Sequence, residues 1–138
     1  MLSKWMVGLV FLITQNVFAT QFPLVLIESF DDAKVVIYVN ESDIRNTPSW
    51  QPSEGAPPLS LKNLIKDIKI WNKANPEYAN ATISGFELKP ILHHEKQNRW
   101  YYLVQMKNVT NGTLDTHYLA VLMNGKVIPA IREPVSYK

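Results

Sequence analysis

From Ser60 to Asn75 the apolar residues Leu61, Leu64, Ile65, Ile68, Trp71 and Ala74 recur at three- and four-residue spacing, the period of one helix face. No later stretch repeats that period, so the chain has one substantial helix to lay against whatever its other apolar residues build. Pro57 and Pro58 precede the helix, Ser60 is a suitable N-cap, and Asn75-Pro76 ends it, because proline cannot continue the hydrogen-bond ladder. Lys62, Lys66, Asp67, Lys69 and Lys73 fall on the opposite face. About fifteen residues make a rod of roughly 22 Å, long enough to cover a small sheet.

The rest reads as strands. Ala33–Val39 is β-branched and aromatic, and predicts a first strand. Asn40–Pro58 contains Pro48, Pro52, Pro57 and Pro58 and predicts a long irregular connection, with Trp50 stapling it to the body. Ile83–His93 carries Gly85 and Pro90 and predicts a bent or bulged strand. In Arg99–Lys107, alternation puts Trp100, Tyr102, Val104 and Met106 on a core face and Arg99, Tyr101, Leu103, Gln105 and Lys107 on an outer one. Asn108–Thr116 reads as a polar connection, after which Tyr118–Met123 and Lys126–Ala130 flank the hairpin signal Asn124-Gly125. Pro129 places the last strand at a sheet edge. The fold class is α+β, one helix packed on a curved antiparallel sheet of about four strands. Its expected contiguous core is Leu64, Ile65, Ile68, Trp71, Trp100, Tyr102 and Val104.

The first nineteen residues set the address. Lys4, the apolar run Trp5–Ile13 and small residues ahead of a break after Ala19 have the form of an export signal. The run is too short for the ~20 residues that span a bilayer, so no membrane span is expected after cleavage, and the mature chain is expected in the periplasm or secreted. Of 138 residues, 119 remain, enough for one domain (20–138), in which a strand and Pro-rich loop (20–58) precede the helix-plus-sheet core (59–138). The absence of cysteine excludes a disulfide scaffold, thiol catalysis and thiolate metal sites. A mature balance of 13 basic to 12 acidic residues offers no long-range attraction to nucleic acid or anionic lipid. The Asn-x-Ser/Thr sequons at Asn40, Asn80, Asn108 and Asn111 read as chance in an Asn-rich chain, since the short leader and cysteine-free body fit a bacterial exported protein.

The helix after Pro57-Pro58-Leu59-Ser60, the aromatic strand Arg99–Val104 and the closing segment Tyr118–Ile128 together resemble small exported bacterial proteins related to PepSY domains. The resemblance covers roughly residues 57–131. It implies a cystatin-like layout and a non-enzymatic role as a peptidase regulator or periplasmic binding element. Protease-inhibiting cystatins carry a Gln-x-Val-x-Gly hairpin; here Gln105 is followed by Lys107 and Val109 at the required places, so inhibition of papain-like peptidases is not carried over.

No residue set converges on an identifiable chemistry. His93, His94 and His117 are the only histidines, and the adjacent pair on a strand would point to opposite faces, so no metal site is expected. Glu28 with Asp31-Asp32, and Glu41 with Asp43, lack calcium-loop spacing and read as solvated charge. No nucleophile motif, zinc motif or phosphate loop occurs, and no cofactor is expected. The expectation is an exported, non-catalytic binding or regulatory module with a protein or peptide partner, or a homodimer. Its surface would be the outer face at Tyr101 and Leu103 together with the edge strand at Lys126 and Ile128, open to strand addition. A structural subunit, a small-ligand carrier and an enzyme with an unrecognised site are the alternatives.

Overall fold

The computed structural model describes residues 24–29, 33–92 and 94–134. The expected export signal (residues 1–19), the Asp31-Asp32 pair and His93 lie outside the described residues. In chain order the elements are β1 (Leu24–Ser29), β2 (Ala33–Val39), α1 (Glu41–Arg45), α2 (Leu61–Ala74), β3 (Thr82–Pro90), β4 (Trp100–Thr110), β5 (Thr113–Leu122), β6 (Val127–Pro129) and β7 (Ile131–Pro134), with single 3₁₀ turns at Pro52–Glu54, Pro76–Tyr78 and Glu95–Gln97. The class is α+β. The strands make two antiparallel sheets, one of order β3-β4-β5-β6 and one of order β1-β2-β7.

Helix α2 covers one face of the four-stranded sheet. The Asn63 amide donates to Ser60 Oγ at 3.2 Å, capping the N-terminus, and Asn75 Nδ2 donates to the Trp71 carbonyl at 2.8 Å at the other end. Leu64 and Ile68 are buried against Tyr102, Val104, Met106, Leu119 and Val121, with Trp71 and Trp100 partly buried beside them. Ile65 is a correction to the expected core. It is 39% exposed, because α2 meets the sheet along Leu64, Ile68 and Asn72 and Ile65 stands on its flank.

The single sheet expected from sequence is also corrected. A second core of Leu26, Val35, Ile37, Val39, Ile44 and Ile91 lies against the other face of the four-stranded sheet, around Tyr101, Leu103, Ala120 and Leu122. The β1-β2-β7 sheet therefore covers the face that alternation assigned to solvent. Trp50 does staple the loop: its amide donates to the Asn98 carbonyl at 2.9 Å and its ring meets Trp100 edge-on at 5.5 Å. The expected bend in β3 is a register shift between Ile83 and Gly85.

The two Asn-Gly pairs make two different turns. Asn111 and Gly112, both at positive φ (52° and 76°), close β4 onto β5 with Thr110 opposite Thr113, the geometry of a two-residue hairpin loop. Residues 108–116, read from sequence as a connection, are thus mostly strand. At the second turn Gly125 alone has positive φ (89°), its amide donating to the Leu122 carbonyl while Leu122 donates to Lys126. At Gly125 an added Cβ would stand 2.7 Å from Asp67 Oδ2 on α2.

The burial of Leu103 gives a direct test. Leu103→Ala should lower unfolding free energy by about 2–5 kcal/mol in urea titration, as for a leucine deleted from a packed core. A side chain on a solvated face would change it by no more than about 0.5 kcal/mol.

Candidate functional site

The four residues expected at an interface are all engaged within the chain. Tyr101 and Leu103 are 2% and 6% exposed, under the β1-β2-β7 sheet, so they form no outer surface. The Tyr101 hydroxyl donates to Glu28 Oε1 on β1 at 3.0 Å, and Lys89 of β3 pairs with the same oxygen at 2.5 Å. One carboxylate thereby ties three strands of two sheets together. Ile128 packs partly buried against the same core. Lys126 is paired with Asp43 of α1 at 2.7 Å, and β6 is the edge strand of the four-stranded sheet, as Pro129 predicts, but it is only three residues long.

A longer open edge lies one strand inward, on β5. β5 is ten residues long, but β6 pairs with it only from Leu119 to Val121, and one further bond, Ala130 amide to Tyr118 carbonyl at 2.9 Å, extends the contact. The chain then turns away from β5 and joins β2 as β7, Ile131 opposite Val36. With the Tyr118 carbonyl aimed toward Ala130, strand alternation aims the N–H and C=O of Thr116 and Leu114 the same way. Among the described residues no strand stands beside them.

Where β7 departs, a cleft of about 290 Å³ opens, lined among the described residues by Val35, Asp115, Thr116, His117, Tyr118, Ala130 and Arg132. Tyr118 also borders a second cleft of about 330 Å³ that includes Gly85, Glu87, Leu103 and Gln105. Gln105 Nε2 donates to the Tyr118 hydroxyl at 3.4 Å. Farther along the same face Val109 and Leu114 stand directly opposite each other, 69% and 56% exposed. β3 pairing ends at Lys107, so this part of the β4–β5 hairpin is a two-stranded arm.

The face holding Tyr101 and Leu103 thus continues through Gln105 and Lys107 to Val109, and only its far part is open. Sequence reading missed Leu114, Thr116 and Arg132. The usable signal was Asn111-Gly112, a hairpin turn that extends both strands into the polar stretch.

His94 and His117 make local contacts. His94 Nδ1 lies 3.2 Å from Gln97 Oε1, and the His117 ring meets Tyr78 edge-on at 5.1 Å. Among the described residues no three His, Asp or Glu side chains converge as metal ligands, and no helix is long and apolar enough to cross a membrane. Comparison with protein-family models, curated proteins and solved structures gives no match.

Burial pushes the Tyr101 hydroxyl well above the ordinary tyrosine value of 10.0, and the charge of Glu28, the hydrogen bond to it and the charge of Glu87 act in the same direction. Burial also raises Tyr102, whose hydroxyl donates to the Leu59 carbonyl at 2.9 Å. A raised folded-state value means that the stability contributed is complete below pH 10 or so and is lost as pH rises past it, when the unfolded chain releases a proton that the folded chain retains. Tyr101→Phe should flatten the decline of melting temperature above about pH 10 without abolishing it, since Tyr102 keeps its share. An unchanged alkaline slope would show that Tyr101 is not buried against Glu28.

Proposed function

We propose that this chain is an exported, non-catalytic binding module that takes an extended segment of a protein or peptide along the open edge of β5. The observation that carries the reading is the mismatch between a ten-residue β5 and a three-residue β6, which leaves the edge of β5 open at Leu114 and at Thr116, the latter lining a cleft. Strand addition satisfies such groups and draws specificity from pockets for alternate side chains. Tyr118 and the Val109–Leu114 pair supply those contacts, one polar and one apolar. The segment can come from a different protein or, in a homodimer, from a second copy.

The arrangement of α2 across an antiparallel four-stranded sheet supports a PepSY-like, cystatin-like layout, and the leader supports a periplasmic or secreted setting. The two clefts beside Tyr118 favour a second reading, a small-ligand carrier, because their volumes approach the lower end of ligand pockets.

Peptide display followed by fluorescence polarisation separates these. Selected peptides should bind the wild type and lose about tenfold in affinity with Thr116→Pro, which removes one edge donor. Leu114→Asp should weaken them further, and Lys126→Ala should leave them unaffected. Selected peptides that bind Thr116→Pro and Leu114→Asp as tightly as wild type would refute the β5 edge. A small molecule retained in native mass spectra would move the reading to a carrier.

A further inference from the structure

The near-neutral net charge averages over a distribution that α2 does not share. Lys62, Lys66, Lys69 and Lys73 follow one another at spacings of four, three and four residues, so they form one stripe along the helix. All four are exposed, and the ion pairs of the described residues, Lys89–Glu28 and Lys126–Asp43, involve none of them. Asp67 is the one acidic residue of α2 and stands on its flank, against Gly125. Like charges at three- and four-residue spacing repel one another and weaken a helix. An ordinary solvated face would interleave glutamates to remove that penalty.

Leu61 and Ile65 flank the stripe on one side and Ile70 on the other, 46%, 39% and 59% exposed. The lysines and Ile70 turn away from the buried row of Leu64, Ile68 and Asn72, and Leu61 and Ile65 stand at its border. The face is a strip about 16 Å long from Lys62 to Lys73 by helix rise, on which the four lysines together with Ile65 and Ile70 line a shallow, open depression, and its positive charge has no ion-pair partner among the described residues.

We propose that this face docks on an anionic phospholipid surface, the lysines reaching the headgroup phosphates while Leu61, Ile65 and Ile70 enter the acyl boundary. Two features favour a lipid surface over an acidic protein. The cations are all lysine, hydrated point charges suited to a diffuse negative field, whereas a defined carboxylate partner would favour the bidentate fork of arginine. Apolar side chains on both flanks of a basic stripe match an interface with charge outside and hydrocarbon beneath.

The test is co-flotation of the purified protein with vesicles of phosphatidylcholine alone and of a phosphatidylcholine–phosphatidylglycerol mixture, at low and high salt. The wild type should float with the phosphatidylglycerol vesicles, be released by salt, and show little affinity for the neutral ones. Replacing all four lysines, Lys62→Gln, Lys66→Gln, Lys69→Gln and Lys73→Gln, should lower the partition coefficient by on the order of several hundred-fold, given roughly fivefold per lysine. Gln keeps helix propensity, and an unchanged circular dichroism spectrum verifies the fold. Ile65→Ser with Ile70→Ser should retain salt-sensitive binding at reduced affinity. Equal flotation of the wild type and the four-lysine variant would overturn the proposal. So would wild type that ignores phosphatidylglycerol vesicles, including the case in which it binds polyglutamate or nucleic acid instead.

Discussion

Strand β4 is buried on both faces along its middle. Tyr101, Tyr102, Leu103 and Val104 are buried in succession, and adjacent strand residues point to opposite sides, so two separate cores meet at one backbone. Such a strand must have its own polar groups fully paired, and β3 and β5 supply that pairing on either side. Everything else is arranged around it. α2 closes the Tyr102–Val104 side, and the β1-β2-β7 sheet closes the Tyr101–Leu103 side. Glu28, holding both Tyr101 and Lys89, fastens the second cover to the first sheet.

Two covers on one short chain force a crossing. The last strand segment has to complete both sheets, and it does so by leaving β5 after Ala130 and running on beside β2. Pro129 sits at the crossing. The neighbouring Ala130 amide is aimed at β5, so the donor that proline lacks is one that would have faced away from that strand. The departure of β7 exposes the β5 edge and makes the cleft beside it. The proposed binding site is thus a consequence of the topology rather than an added loop.

What the sequence disclosed depended on how each element is buried. α2 was legible because one face is buried and the other charged, giving a clean 3.6-residue period. β4 was half legible: Tyr102, Val104 and Met106 were placed correctly, but polar Arg99, Gln105 and Lys107 made the opposite face look solvated throughout. That face changes character along its length, covered at Leu103 and open at Val109, which no period can express. The extension of β4 and β5 to Asn111-Gly112 was hidden because a two-stranded arm in water needs no apolar alternation, so Asn108, Thr110, Thr113 and Asp115 read as loop. The short β7 was illegible, since Ile131–Pro134 becomes a strand only by pairing with β2 nearly a hundred residues earlier in the chain. The lysine stripe was visible on the helix, yet its lack of ion-pair partners among the described residues is a fact of three dimensions.

The central claim is that one face of the β4–β5 pair is covered as far as Leu103 and open beyond Gln105. The chain has no cysteine, so single variants Leu103→Cys, Val109→Cys and Leu114→Cys each carry one reactive thiol, and their rates of labelling by a soluble maleimide under native conditions measure that boundary. The account predicts labelling at 109 and 114 at the rate of a free thiol, and labelling at 103 only as fast as the protein unfolds. Rapid labelling at 103 in a variant that remains folded would contradict it.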